Sequence, residues 1–441
     1  MPRDSRLVLI ACYVAMFAVG ENSTAIMAAL PAMARDLGLA PATVEWAVNA
    51  YLLTAAAFII LGGKAADMLG ARRSSAAGIV LFALASLILA LAPDGAVVVA
   101  ARALQGLGAA FAVAGTLATV TEAAPEALRA GAIGGWTGFL MLGFSIGPLV
   151  GGAVTHYAGW RVNFWLNVLA MLPAGLALGL RPGTGAWRRS QVDWLGLGLL
   201  AIFMVMLISG LHALPAVGTA PVAAILPLAL AAAAFIALHR AERRNPRPLL
   251  DFTLFSNHDF ALACLLAFLL MLDIMTLLLY YNLFAQAPSG LGMTAIAAGL
   301  SLVPLSAALF GFARAAPRLG AAVGVRGMMA GGSLLLALGC AIAGASLGGV
   351  GFTLLMLGLF ACGAGIALPY ASATRIGLAT LPQAQAGQGS GVLNACSFLG
   401  GTVGVTSGGA IFGHAGFAGV LLLVALSALV GAALSLRLRL A

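Results

Sequence analysis

The sequence predicts an all-α polytopic membrane protein built from two related halves. Of its residues, 62% are hydrophobic and 8% are charged, with a mean hydropathy of +1.07, whereas soluble domains carry roughly 25% charged residues. A glycine pattern indicates the same class, because Gly143, Gly147 and Gly151 lie on one helix face, where they let a neighbouring backbone approach closely in a bilayer. The pattern returns 257 residues later, at Gly400, Gly404 and Gly408.

The formal net charge of +9 does not indicate a nucleic-acid partner, because the basic residues are scattered singly or in short groups between apolar spans. Their placement is instead a signal of membrane topology. The five cysteines lie inside apolar segments, and the histidines share no ligand spacing, so no metal site and no cofactor are expected.

Each helix that spans a bilayer needs about 20 mostly apolar residues. The N-terminal apolar run carries Glu21 and is too long for a signal peptide, so it is predicted to be the first span. Fourteen segments meet the requirement: 7–30, 45–63, 74–93, 96–120, 130–155, 160–180, 193–213, 220–238, 259–284, 295–316, 327–346, 350–373, 386–413 and 416–436.

The basic residues orient these spans in the membrane. With a cytoplasmic N-terminus, nineteen of them fall at inward-facing ends and loops, and only Arg35 and Arg161 fall outside. This asymmetry predicts an even number of spans with both termini in the cytoplasm. The expected location is the inner (plasma) membrane.

A second repeat defines the boundaries of the halves. The stretch Gly63 to Gly70 after the second span resembles Ala313 to Gly320 after the tenth, an offset of 250 residues. Six spans with their loops take about 190 to 200 residues, so the excess corresponds to two inserted helices. The predicted organisation is a six-helix bundle at 1–190, two inserted helices at 191–240, a basic cytoplasmic loop at 241–257 and a second six-helix bundle at 258–441.

Several motifs, in this order and at this spacing, resemble the major facilitator superfamily, and within it the fourteen-helix drug:proton antiporters. The likeness covers essentially the whole chain. The motifs are Leu30-Pro31, Trp46, Tyr51 to Leu53, Gly63 to Arg73, Arg102 to Gly108, Gly143 to Gly152, Gly159-Trp160-Arg161 with Asn167, and Pro248 to Asp251 with Leu254-Phe255.

The resemblance assigns a gating role to the loop after the second span. Its charged residues would form charge-assisted bonds with the facing half and stabilise one access state. The family usually has basic residues where Met68 and Ala71 stand, which weakens this latch. The alternative is that the two arginines only set topology. The gating motif comprises Gly63, Asp67, Gly70, Arg72 and Arg73.

The fifth span carries the antiporter motif implied by the resemblance. Pro148 cannot donate a backbone hydrogen bond, so the helix is expected to bend there, with neighbouring helices, hydroxyl groups or water satisfying the freed groups. The motif comprises Gly143, Gly147, Pro148, Gly151 and Gly152.

Three charged residues inside spans are candidates for proton coupling. Arg102 in the fourth span matches an arginine that the family associates with coupling; the alternative is a structural role. Glu21 and Asp273 are carboxyl groups near mid-membrane, where desolvation favours the protonated form, so a proton and a substrate can compete for either group. The family usually has its first-span acid at Asn22, one residue after Glu21, and this departure shifts the emphasis to Asp273. The alternative is an acid that stays protonated.

Several polar and large residues are weaker candidates for substrate binding in the expected central cavity, and helix packing is the alternative role for each. They are Asn22, Trp136, Met141, Thr276, Tyr280, Asn282 and Asn394.

The resemblance implies a proton-coupled secondary transporter that exports small amphipathic compounds by alternating access. Its partners would be a small-molecule substrate, protons and the lipid bilayer; a monomer is compatible with the sequence, which leaves the oligomeric state open. An enzyme is not expected, because no nucleophile with a nearby base and no metal cluster is evident. A proton-independent transporter, an importer and a non-transporting membrane sensor of the same fold remain as alternatives.

Overall fold

The computed structural model describes residues 3–180, 193–214, 219–245, 248–347, 351–382 and 385–439. Every regular element in these ranges is helical, as the apolar composition predicts. The helices are α1 (Arg3–Leu37), α2 (Pro41–Leu69), α3 (Ala71–Ala90), α4 (Gly95–Ala123), α5 (Glu126–Ala158), α6 (Trp160–Gly179), α7 (Trp194–Ala213), α8 (Pro221–Arg244), α9 (His258–Gln286), α10 (Ala295–Ser301), α11 (Val303–Val323), α12 (Val325–Ala345), α13 (Phe352–Ala379) and α14 (Ala386–Leu436).

Thirteen helical segments of the described chain are long and apolar enough to cross a membrane, with α10 and α11 counted as one. The last helix, α14, has 51 residues and adopts a non-helical backbone conformation at Gly416. At 1.5 Å per residue it is about 75 Å long, more than twice the roughly 30 Å of a bilayer core. It therefore supplies two spans joined at Gly416, and the described helices agree with the fourteen predicted spans.

The first compact unit contains Met1–Val192 with Gln286–Pro288 and Gly292–Leu300. Within it α1 packs on α5 and α6, α2 packs on α4, and α3 packs on both α4 and α6. The ends of α1 and α6 are joined at Asp36, whose carboxylate accepts hydrogen bonds from Trp160 Nε1 and from Arg161. The Arg161 guanidinium also lies 4.2 Å from the centre of the Trp160 ring. These contacts explain the Gly159-Trp160-Arg161 motif structurally.

The second compact unit contains Asp193–Ala285, Ser289–Leu291 and Ser301–Ala441. Its packing repeats that of the first unit, because α11 and α12 both pack on α13, and α12 packs on α14. The two inserted helices α7 and α8 pack on each other, and α7 also packs on α14. The predicted boundary at residue 190 and the basic residues of 181–192 lie outside the described residues.

Two turns at corresponding places in the two units have a glycine with positive φ. Gly70 between α2 and α3 has φ 89°, and Gly324 between α11 and α12 has φ 78°, a region that favours glycine. The sequence comparison aligned Gly70 with Gly320, but α11 continues for one more turn and ends at Val323. That alignment was wrong by four residues, and Gly324 is the structural counterpart of Gly70.

The predicted basic loop 241–257 begins later than expected, because α8 continues to Arg244. Asp193 caps α7 by accepting a hydrogen bond from the Gly196 backbone N–H, and it also accepts one from Asn245 Nδ2. Leu249 donates its backbone N–H to Glu242 at the end of α8. The ends of the inserted helix pair are therefore fixed by buried and half-buried polar contacts.

Candidate functional site

The glycines of α5 hold it against α1. A methyl group added at Gly143 would overlap the carbonyl oxygen of Phe17, and one at Gly147 would lie 2.8 Å from the carbonyl oxygen of Glu21. Because these neighbours are backbone atoms, they cannot rotate away. Gly151 makes a similar approach to Ala25. The four-residue spacing thus marks a helix–helix contact, as the sequence predicts.

The first half of α14 packs against α9 through glycines in the same way. A methyl group at Gly400 would overlap the carbonyl oxygen of Phe268, and one at Gly404 would lie 2.6 Å from the carbonyl oxygen of Leu272. Each of these α9 residues follows its α1 counterpart by 251 positions. The α1–α5 and α9–α14 contacts are therefore the same structural element repeated.

Under that offset the membrane acids of the two units do not align with each other. It relates Asn22 to Asp273 and Glu21 to Leu272. The acid that the family resemblance expects at position 22 thus has a counterpart in the second unit, at Asp273. Glu21 is one residue away, about 100° around the helix, and has no acidic counterpart.

Pro148 does not interrupt α5, which runs as one helix from Glu126 to Ala158. Proline has no N–H to bond the carbonyl group of Phe144, four residues earlier. The Thr24 hydroxyl of α1 donates to that oxygen at 3.1 Å. The predicted interruption of the hydrogen-bond ladder is therefore compensated from α1 without a break in the helix.

The second unit lacks the proline and also lacks this compensation. Val405 stands where Pro148 stands in the first unit and keeps its backbone N–H. The Thr276 hydroxyl of α9, which faces Gly404 as Thr24 faces Gly147, forms no hydrogen bond with a described residue. The hydrogen bond from a threonine hydroxyl thus occurs only in the unit whose proline frees a carbonyl group, among the described residues. The remaining motif residue, Gly152, faces Ala295 and Gly299 of the same compact unit.

Arg102 is fully buried in the first unit, with 1% of its surface exposed. Its Nε donates to the carbonyl oxygen of Ala47 at 2.8 Å, and its Nη1 donates to Gln105 Oε1 at 2.5 Å. The guanidinium lies 4.3 Å from the centre of the Tyr51 ring. Within the described residues no carboxylate pairs with Arg102. Its positive charge is therefore stabilised by hydrogen bonds and a cation–π contact.

The Arg102 site extends to α1, α3 and α6 through Gln105. Gln105 Nε2 donates to Ser86 Oγ at 2.8 Å, and its amide faces that of Asn22 at 3.4 Å. Asn22 also accepts a hydrogen bond from Asn167 Nδ2 at 3.0 Å. The network therefore ties α1, α3, α4 and α6 together around one buried cation.

Replacing Arg102 with lysine is expected to destabilise the protein and reduce transport. Lysine has one ammonium group and cannot reach both Ala47 and Gln105 as the guanidinium fork does. Leaving a buried acceptor unpaired costs about 1–3 kcal/mol, so the melting temperature of the purified protein should fall. Arg129→Lys is the matched control, because the exposed Arg129 also donates Nε to a carbonyl oxygen, that of Thr121. Equal melting temperatures for the two variants would contradict this role.

Asp273 in the second unit is also fully buried, with 1% of its surface exposed. The hydroxyl group of Ser427 in α14 lies within interaction range. Neither carboxyl oxygen forms a hydrogen bond of ordinary geometry with a described residue, and no ion pair with Asp273 is found in the described ranges. Cys340 of α12 is close enough to interact electrostatically. An isolated ionised carboxylate is strongly disfavoured in such surroundings.

Glu21 has different surroundings, although only 8% of its surface is exposed. Its backbone N–H lies next to Gly143, and its carboxyl group forms no hydrogen bond or ion pair with any residue in the described part of the chain. Neither acid forms an ion pair with a described residue, and the two occupy non-equivalent positions in the repeat.

The predicted cavity residues are mostly engaged within their own units. Trp136 Nε1 donates to Thr116 Oγ1, and Tyr280 donates its hydroxyl to the Val405 carbonyl oxygen. Asn282 and Asn394 both bond the carbonyl oxygen four residues earlier in their helices, and Met141 is half-buried. Their role in substrate binding stays a prediction.

The two arginines of the gating motif separate in the structure. Arg72 Nη1 lies 3.7 Å from Asp4 Oδ2 of α1, within the first unit. Arg73 and Asp67 are exposed, and neither forms an ion pair with a described residue. Gly63 is half-buried near the end of α2. The bonds to the facing half that the resemblance implies stay a prediction.

Sequence reasoning assigned no functional role to Ser86, Gln105, Asn167 or Ser427. Gln105 and Asn167 belong to motifs that carry the resemblance, and Gln105 lies three residues after Arg102, which places both on one helix face. That spacing could have identified Gln105. Nothing in the sequence links Ser427 to Asp273, because they lie more than 150 residues apart.

Comparison with known proteins shows that the chain is similar to membrane transporters. The model of the Major Facilitator Superfamily matches residues 12–322. The chain is 32% identical to the multidrug resistance protein Stp of Mycobacterium tuberculosis (strain CDC 1551 / Oshkosh), over 92% of this chain and 75% of Stp. It is 31% identical to the tetracenomycin C resistance and export protein of Streptomyces glaucescens, over 68% of this chain and 55% of that protein.

A solved structure shows the same fold at low sequence identity. The crystal structure of a POT family transporter in complex with 5-aminolevulinic acid aligns with a TM-score of 0.73 and 15% identity. The alignment covers 98% of this chain and 95% of that chain. The shared fold extends over essentially the whole chain.

Proposed function

Because the chain belongs to the Major Facilitator Superfamily, a family of non-enzymatic transport proteins, we propose that it is a proton-coupled exporter of small amphipathic compounds. The protein is a multi-pass membrane protein. Both termini face the cytoplasm, because that orientation puts most basic residues inside. Relatives named for multidrug resistance and for antibiotic export support the direction of transport and the substrate class.

The observation that carries the proposal is the buried carboxyl group of Asp273. It has no cationic partner in the described chain, so it is stable there as the neutral acid. Substrate binding that displaces the proton from this site couples the two movements: the proton leaves the carboxyl group, and the charge of the carboxylate is compensated by the substrate or its surroundings. A carboxyl group with this behaviour meets the minimal requirement for exchanging a substrate for a proton.

Alternating access supplies the second requirement, because substrate and proton must reach the site from opposite sides in turn. By resemblance to the family, this access would alternate through rocking of the two six-helix halves. The tight α1–α5 and α9–α14 contacts favour movement of each pair as a rigid body, since backbone atoms on both sides are in contact. The antiporter motif contributes that rigidity in the first half.

Glu21 and Arg102 have supporting roles in this mechanism. Glu21 is a second proton site in the first unit. Arg102 fixes the position of Asn22 through Gln105, and so it positions α1 at the level of Glu21. Arg102 thus acts as a positioning residue in this account.

A proton-independent transporter is the second candidate, and two observations favour it. Asn22 replaces the first-span acid of the family, and within the described residues Arg102 has no acidic partner that could exchange a proton with it. A non-transporting sensor of the same fold would share these features.

Inverted membrane vesicles that contain the protein test these candidates. An imposed pH gradient, acidic inside, should drive accumulation of ethidium or of another compound from a panel of cationic, anionic and neutral amphiphiles, and a protonophore should abolish it. Accumulation that is insensitive to the protonophore would support the proton-independent transporter. Binding without accumulation of any compound would support a sensor.

A further inference from the structure

A concave apolar groove lies on the outer face of the first compact unit, between α3 and α6. Its volume is about 420 Å³. Small residues and leucine side chains line it. The small residues are Ala76, Ala77, Gly175 and Gly179, and the leucines include Leu84 and Leu176.

The groove exists because small side chains meet at this crossing of α3 and α6. At Gly175 a methyl group would lie 2.8 Å from Val80 Cγ2, so α6 approaches α3 closely there. At Gly179 the nearest atom would be 3.5 Å away, which leaves a depression. Leu84 and Leu176 remain 48% and 49% exposed beside it. An apolar depression on a membrane-spanning surface is in contact with lipid chains.

One end of the groove is basic. Arg73 precedes Ala77 by four residues, so both lie on one face of α3, about 6 Å apart along the axis. The Arg73 side chain is exposed and forms no ion pair with a described residue, whereas Arg72 beside it faces Asp4. Arg73 also lies in the first turn of α3, where the helix dipole favours an anion.

We propose that this groove binds an anionic phospholipid. One acyl chain lies in the groove against Ala77 and Gly179, and the phosphate group accepts hydrogen bonds from the Arg73 guanidinium. The combination of an apolar depression and, at its end, a cation that forms no ion pair with a described residue fits a molecule with a long apolar chain and an anionic head. The site does not include the acids of the proposed transport mechanism, but its cation, Arg73, also belongs to the predicted gating motif.

Native mass spectrometry tests this site directly. The purified protein is reconstituted in nanodiscs of equimolar phosphatidylcholine and phosphatidylglycerol, and the lipids that stay bound after release are identified. The wild type should retain phosphatidylglycerol preferentially. Arg73→Gln should reduce this preference on the order of fivefold, the contribution of one basic residue near anionic lipid. Ala77→Leu, which fills the groove, should remove it.

Two pairs of variants keep the outcome interpretable. Arg73→Lys and Ala77→Gly preserve the charge and the depression, so they should retain the preference. Ala232→Leu and Arg240→Gln make the same changes on the exposed face of α8 and should have no effect. Equal retention of both lipids by the wild type would overturn the proposal. So would an unchanged preference in Arg73→Gln, whose exposed side chain makes misfolding an inadequate explanation.

Discussion

Asp273→Asn is expected to abolish accumulation driven by a pH gradient while leaving substrate exchange intact. Asparagine has nearly the shape of the protonated acid, but it cannot release a proton. The variant should therefore bind and exchange substrate, yet its gradient-driven accumulation in inverted vesicles should fall to the level of vesicles without the protein. Exchange is measured separately, as the loss of preloaded labelled substrate to unlabelled substrate outside.

Two further variants define what this result means. Glu122→Gln removes an exposed carboxyl group from α4 and should behave like the wild type. Glu21→Gln tests whether the second acid contributes, and a partial loss is expected if both acids carry protons. Normal gradient-driven accumulation by Asp273→Asn would refute a coupling role for this residue, since its buried carboxyl group would then be only structural.

Gly143→Ala is expected to lower the melting temperature and to impair transport strongly. The added methyl group would overlap the carbonyl oxygen of Phe17 and lie 2.6 Å from the backbone nitrogen of Glu21. Both neighbours are backbone atoms, so α1 and α5 must separate. Overpacking of this kind costs about 1–3 kcal/mol, and the separation would also displace Glu21. Thermal unfolding in detergent and the vesicle assay measure the two effects.

The same helix provides the control for this substitution. At Gly138 of α5 no atom lies within 4 Å of an added methyl group, so Gly138→Ala should be neutral or slightly stabilising. Gly400→Ala and Gly413→Ala form the corresponding pair in α14, with the carbonyl oxygen of Phe268 facing the first and open space at the second. Equal melting temperatures within either pair would contradict the interpretation of the glycine spacing.

The sequence predicted the spans and the glycine contacts because both depend on a local period. About 20 apolar residues suffice to mark a span, and a four-residue spacing suffices to mark a helix face. The exact turn positions were less accessible. Gly320 matched Gly70 in the motif alignment, yet the turn lies at Gly324, because nothing in an apolar helix fixes its last residue as strongly as the positive φ of the turn glycine.

Polar partners inside the bundles were the least predictable feature. The sequence showed that Pro148 frees a carbonyl group, but the donor, Thr24, is set by how α1 and α5 pack. The sequence likewise showed that the buried Arg102 needs hydrogen-bond acceptors, and the structure identifies them as Gln105 and Ala47. A polar residue in an apolar span reveals its depth in the membrane, whereas its partner depends on the rotation of both helices. Asp273 and Ser427 illustrate this, since they meet only in the folded second unit.

Proton release on substrate binding tests the central claim most directly. The purified protein in weakly buffered detergent solution is mixed with the amphiphile panel, and the released protons are followed with a pH indicator for the wild type, Asp273→Asn and Glu21→Gln. We expect release by the wild type and its loss in Asp273→Asn. Substrate binding without proton release by the wild type would contradict proton-coupled export and leave a proton-independent transporter or a sensor.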